Sequence, residues 1–148
     1  MTPEVHAEIE KFLSAQRTMS LATADADGVP MAHGMHYYPD GLRLYVSSLP
    51  YTKKLANIEV NPIVGYTVWR LPSYEKRDTA RTLQVKAAAS VVTDETQLVA
   101  VQGGLTERYP WAEELQLDVN VILAFEPIEL LWMDISKGLD GRLVHTFE

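Results

Sequence analysis

The 148-residue chain contains no cysteine. That one absence excludes disulfides, thiolate metal sites and cysteine nucleophiles together, and it fits a reducing compartment. Long apolar runs are missing as well. The longest, from Val119 to Met133, is broken by Glu126, Pro127 and Glu129, short of the roughly 20 residues that span a bilayer, so no membrane is expected. The opening MTPEVHAEIEKF has no basic stretch followed by an apolar one. No secretory signal is therefore expected, and the expected location is cytoplasmic. Positive charge is scarce: 13 Lys and Arg face 20 Asp and Glu, a formal charge of −7. An acidic surface repels phosphate backbones, so nucleic acid is not an expected partner. No G-x-S-x-G elbow, P-loop or G-x-G-x-x-G occurs, so neither a serine hydrolase nor a Rossmann nucleotide site is signalled.

What is present is a core-forming composition, 47% apolar, with no repeat, low-complexity tract or linker. One domain over residues 1–148 follows. Val5, Ile9, Phe12 and Leu13 share one helical face, with Thr2 as N-cap, Pro3 at the first helical position and an end near Ala15. The period then changes to two. RTMSLATAD, PMAHGMHYY and LRLYVSS read as strands, separated by turn chemistry at Asp25–Gly28 and at Asp40-Gly41, and together they suggest a meander. TKKLANIEV reads as a short helix with Leu55 and Ile58 inward, stopped at Asn61-Pro62. IVGYTVW is a fourth strand, and Arg70 to Arg81 an exposed excursion. TLQVKAAASVVT sets Leu83, Val85, Ala87, Ala89 and Val91 on one face. Asp94 and Gln97 cap a further helix that Gly103-Gly104 is expected to end. VNVILAF and IELLWMD form a last strand pair bent at Glu126-Pro127. About six strands with short helices suggest a closed or nearly closed antiparallel barrel, because closure hides sheet edges.

Two stretches carry chemistry. In SSLPYTKKLANIEVNP, Lys53 and Lys54 occupy the first turn of a helix, where cations oppose the helix dipole at roughly 0.3–1 kcal/mol each. An anion seated there would reverse that sign, with amides, hydroxyls and ammonium groups converging on it. The residues alone read equally as a phosphate site or as solvated lysines. In AHGMH, Ala32, Gly34 and His36 share one face, and Met31, His33 and Met35 the other. Small Ala32 and Gly34 would let a flat ring approach the backbone, or they mark a crowded barrel corner. His33 and His36 point to opposite faces, so no metal site is expected. His6 reads as solvated. No residue stands out as a protein-derived acid or base, and no catalytic residue is assigned.

The run from Met19 to Trp69 resembles the pyridoxamine 5'-phosphate oxidase-like FMN-binding split-barrel family. The resemblance is carried by Ala22-Thr23 through Gly28 and Pro30, by the Ser47-Ser48 strand end, and by Thr52-Lys53-Lys54 leading to Asn61-Pro62. TLQVKAAASVVTD is similar to the family's strand after the excursion, and the likeness covers most of residues 17 to 94. It implies a mainly β (α+β) fold, a six-stranded antiparallel Greek-key split barrel with short flanking helices. It also implies a homodimer with FMN at the subunit interface. Its phosphate would rest on Ser47, Thr52, Lys53 and Lys54, with Ser48 beside them. The flavin ring would lie along His33, Gly34, Met35 and His36, next to Val46, with Gln84 and Trp132 as contributions from the partner.

The implied function is an FMN-dependent oxidoreductase acting on a small molecule. The alternatives are a non-catalytic flavin or electron carrier, a haem binder using His33, His36 or His145, and a deazaflavin binder using Lys76, Arg77 and Arg81. The true oxidases carry Arg near the position of His33 and a C-terminal Arg-His substrate site, which Arg142 and His145 do not reproduce. Oxidation of pyridoxamine phosphate is therefore not expected.

Overall fold

The computed structural model describes residues 1–111 and 120–148. Val119, expected in the last strand pair, lies outside them. Helix α1 (Pro3–Ala15) starts as the sequence implies: the Thr2 hydroxyl accepts from the Val5 amide, Pro3 sits at the helix start, and Ile9, Phe12 and Leu13 are buried. Strands β1 (Thr18–Ala24) and β2 (Pro30–His36) pair through a turn in which the Asp25 carboxylate accepts from the amides of Asp27 and Val29. Then come β3 (Tyr38–Asp40), β4 (Arg43–Ser48), helix α2 (Lys53–Val60), β5 (Ile63–Arg70), a 3-10 segment (Tyr74–Thr79) and β6 (Arg81–Val91). Helix α3 (Glu95–Arg108), β7 (Val121–Asp134), a second 3-10 segment (Ile135–Gly141) and β8 (Arg142–Thr146) complete the chain.

All pairings are antiparallel, in the order β2-β1-β5-β6-β7-β4-β3, with β8 also on β7. The two end strands of that row, β2 and β3, are separated in sequence by Tyr37 alone. A sheet whose ends are one residue apart must curl round on itself, and the result is a split barrel. Its interior holds Leu21, Tyr37, Leu44, Val46, Leu83, Leu123 and Phe125, with α1 closing one end. A smaller apolar cluster lies outside, where Val101, Leu105 and Tyr109 cover Tyr45, Ile122 and Ala124.

The architecture matches the expected class with eight strands instead of six. The expected meander is corrected: β4 pairs with β3 and β7, and PMAHGMHYY is two strands broken at Tyr37. The last strand pair is a single strand. β7 carries a bulge at Pro127–Glu129 opposite Lys86/Ala87, and its other edge changes partner there, from β4 to β8. Proline has no N–H to give a ladder, which suits a point where pairing is handed over. Gly103-Gly104 does not end α3. A Cβ on Gly104 would meet Tyr38 ring carbons at 2.5 Å, so this glycine lets the helix lie against that ring. Val91 is exposed and Val92 buried instead, because the alternation breaks as β6 ends.

Two polar clamps hold the ends of elements together. The Arg108 guanidinium donates to the carbonyls of Leu13, Ser14 and Gln16, satisfying the C-terminal end of α1 from another helix. Asp134, nearly buried, pairs with Arg81 at 3.1 Å and Lys137 at 3.6 Å and accepts from the Ser136 amide and hydroxyl. Burial alone would raise its carboxyl. The Ser136 hydrogen bonds and the charges of Arg81 and Lys137 outweigh that and hold it below the usual carboxylate range. Asp134→Asn is expected to cost about 1–3 kcal/mol at neutral pH. Because the folded-state value is depressed, this stabilisation is complete above the ordinary carboxylate range and disappears as pH falls through the lowered value. Urea midpoints of the two proteins should differ at neutral pH and converge in strong acid.

Candidate functional site

Helix α2 begins without the usual capping arrangement. Thr52 is its N-cap, yet its hydroxyl caps no amide and lies 3.2 Å from the Ser48 hydroxyl. The first-turn amides of an α-helix have no intrahelical acceptor. Lys53 and Lys54 stand on that turn, which carries no acidic residue, and none of the ion pairs among the described residues includes either one. Lys53 is exposed and Lys54 half-buried. Burial lowers the Lys54 ammonium, so part of its charge sits where solvent screens it poorly. Tyr51, just before the cap, has φ 63° and a fully exposed side chain. Such a left-handed backbone is uncommon for an aromatic residue and costs about 1–3 kcal/mol.

A buried polar chain ties this helix to β2. Asn57, on α2, donates from Nδ2 to the Thr23 hydroxyl at 3.0 Å, and that hydroxyl lies 3.0 Å from His33 Nε2. Asn57 and Thr23 are each 2% exposed, and His33 is half-buried. Burial, and then the Lys54 charge, lower the His33 pKa, so imidazole and ammonium lie within electrostatic reach of each other.

The register sorts the remaining expected residues by face. Thr23, His33 and Met35 point inward, paired across β1–β2 with Met31, Leu21 and Met19. Met35 packs on the core. Gly34 and His36 point outward, as do Ser20, Thr67 and Gln84, aligned across β1, β5 and β6. This outer face forms a concavity of about 740 Å³ that includes Ala22, Ala32, Gly65, Gln84, Lys86 and Arg142. It is floored by small side chains, and a Cβ on Gly34 would meet nothing within 4 Å. No contact among the described residues requires glycine there. His36, exposed on the same face, meets Tyr109 and Trp111 edge-on at 5.2 and 5.0 Å.

The expected set is therefore divided. His33, Thr52 and Lys54 gather near the start of α2, and Lys53 shares that turn. Gly34, His36 and Gln84 lie on the outer face, which the α2 lysines do not line. Three members are set apart by their burial. Val46 is 0% and Trp132 3% exposed, both inside the barrel, with Trp132 edge-on to Phe12. Neither has surface to offer a ligand. The Ser48 hydroxyl is spent on the turn, donating to the Leu49 carbonyl. Ser47 stays half-exposed and accepts from Asn120 Nδ2 at 2.9 Å. Residue-level reasoning missed Asn57 and the interaction of Thr23 with His33. Thr23 lay within the quoted Ala22-Thr23 motif; Asn57 carried no signal, since an asparagine on a short helix reads as solvated.

A family model for pyridoxamine 5'-phosphate oxidase matches residues 5–135. The chain belongs to the pyridoxamine 5'-phosphate oxidase family. A search of curated proteins finds no match. Among solved structures, the chain is similar to a conserved hypothetical protein from Mycobacterium tuberculosis, 23% identical with TM-score 0.78, over 93% of this chain and 87% of that one. It is also similar to a haem-binding protein from Mycobacterium smegmatis, 14% identical with TM-score 0.82, over 99% of this chain and 59% of that one. An FAD-binding protein from Mesorhizobium loti is 23% identical with TM-score 0.67, over 84% of this chain and 88% of that one. At these identities the likenesses establish the fold.

Family membership leaves the chain's own electrostatics to be explained. Lys54 is a half-buried cation with no ion-pair partner among the described residues, at the positive end of a helix dipole, an arrangement that disfavours the folded state when no ligand is bound. Lys54→Met keeps the apolar stem and removes the charge. Without added ligand it is expected to raise the unfolding free energy by about 0.5–1 kcal/mol, read from the urea midpoint at constant slope.

Proposed function

We propose that the chain is a flavin-binding protein that holds the phosphate of FMN at the start of α2, and that it serves a redox reaction of a small molecule. The observation that carries this reading is the pair Lys53 and Lys54, without ion-pair partners among the described residues, on a first helix turn whose amides have no intrahelical acceptor, in a protein of net charge −7. A phosphate dianion satisfies the amides, the ammonium groups and the dipole at once. Ser47 and Thr52 flank that position, and the open backbone at Gly34 suits a flat ring. When bound, FMN supplies the hydride or electron chemistry; the protein's part is to hold, orient and shield it. No described side chain is needed as acid or base.

The double change Lys53→Ala with Lys54→Ala is expected to weaken FMN at least a hundredfold, roughly the value of two charge-assisted contacts, with the circular dichroism spectrum unchanged. Equal affinity would remove the phosphate assignment. The same titration with hemin tests the haem reading, which one observation favours. His33 Nε2 is engaged with Thr23, and His145 Nδ1 lies 3.4 Å from the N-terminus, whereas His36 is exposed and among the described residues makes ring contacts without a hydrogen bond. An intense Soret band that His36→Ala abolishes would replace flavin by haem.

The outer face supports a second copy of the chain as partner. Its rows run Ala32–Ala22–Gly65–Lys86–Glu129 and Gly34–Ser20–Thr67–Gln84–Leu131, small on one side and larger on the other, with exposed Trp69 in the next row. A two-fold axis through such a surface would set small residues against large, bringing Gln84 toward the partner's cofactor. Ser20→Arg is expected to convert dimer to monomer by sedimentation velocity without unfolding the chain.

A further inference from the structure

The Thr23 hydroxyl has two hydrogen-bond contacts, with Asn57 Nδ2 and His33 Nε2, both at 3.0 Å. Asn57 is the donor in the first, so it uses one of the oxygen's lone pairs. The hydroxyl proton of a residue 2% exposed needs an acceptor, and the one in contact among the described residues is His33 Nε2. If Nε2 carried a proton instead, Thr23 would accept twice and its own O–H would be buried without a partner, which costs about 1–3 kcal/mol. The arithmetic of donors therefore sets His33 as the neutral tautomer with hydrogen on Nδ1. That nitrogen has no partner among the described residues. Burial and the Lys54 charge disfavour the imidazolium in the same direction.

We propose that His33 is the third donor of the anion site, a neutral imidazole whose Nδ1–H binds a ligand phosphate oxygen and which the chain Asn57–Thr23 holds in that tautomer. Asn57 lies one helical turn beyond Lys53, so the helix that presents the two ammonium groups also sets, through β1, the hydrogen-bonding state of β2. Thr23 and Asn57 are positioning residues. The ligand half of the proposal rests on the phosphate reading above; the tautomer half does not.

Long-range ¹H–¹⁵N correlation spectra of histidine-labelled, ligand-free protein, recorded well above the imidazole pKa, read the tautomer directly. The expected result is Nδ1–H in the parent and in Thr23→Ser, which keeps the hydroxyl, and Nε2–H in Thr23→Val, which lacks it. Nε2–H in the parent overturns the proposal, for Thr23 would then accept from His33 and Asn57 would present its carbonyl. Titrations with FMN and with riboflavin, which has no phosphate, separate the ligand half. His33→Ala is expected to weaken FMN about tenfold and leave riboflavin unchanged. Full FMN affinity in His33→Ala, alongside its loss in the double lysine variant, overturns the role of His33. Full affinity in the double lysine variant overturns the phosphate reading, while the spectra still decide the tautomer.

Discussion

The junction at Tyr37 is the constraint on which the rest depends. It joins β2 to β3, the two ends of the sheet row, and it is completely buried, its hydroxyl donating to the Leu13 carbonyl at 2.7 Å. One residue can span only about 3.5 Å, so the row has no freedom to lie flat. Curling places the inward faces of β1, β4, β5 and β7 around one core, and α1 is drawn over its end by the Tyr37 and Arg108 contacts to its last carbonyls. Tyr109, at the end of α3, adds a hydroxyl within reach of the carbonyls of Arg17 and Tyr37, so three separate elements fix the same corner.

The candidate site is a by-product of that closure. Bringing β2 beside the end of β4 and the start of α2 sets His33 near Lys54, although the two are far apart along the hairpins. Thr23 and Asn57, the buried members of the polar chain, are hydrogen-bonded to each other, and such an internal contact specifies one geometry instead of destabilising it. Around it, local features run against stability: two cations at a helix start, a left-handed Tyr51 and an open glycine on the outer face. Local features that cost folding energy cluster where function demands them.

Legibility differed by interaction range. The period of apolar residues in α1, β1 and β6 marked those elements, and the turn at Asp25–Gly28 and the cap at Thr2 fell where side-chain chemistry required. The ordered motifs from Ala22-Thr23 to Asn61-Pro62 identified the family. Sequence could not tell that Gly103-Gly104 continues a helix, because the reason is a tyrosine ring from β3. Nor could it show β8, a strand that alternates weakly and exists by pairing with the second half of β7. Trp132 was named as a contribution that the family resemblance implies, and no local pattern marks which face of its strand it takes; the structure buries it in the barrel.

By itself, the sequence determined the class of fold, the starts of α1, β1, β2, α2 and α3, and the pair of lysines, each marked by caps, turns, period or ordered motifs along the chain. Tertiary structure alone decided which strands are neighbours, which face of β2 meets α2, and that Asn57, Thr23 and His33 form one chain. The physical reason is that hydrogen-bond satisfaction in a buried interior is a property of assembled neighbours, and no local pattern encodes who those neighbours are.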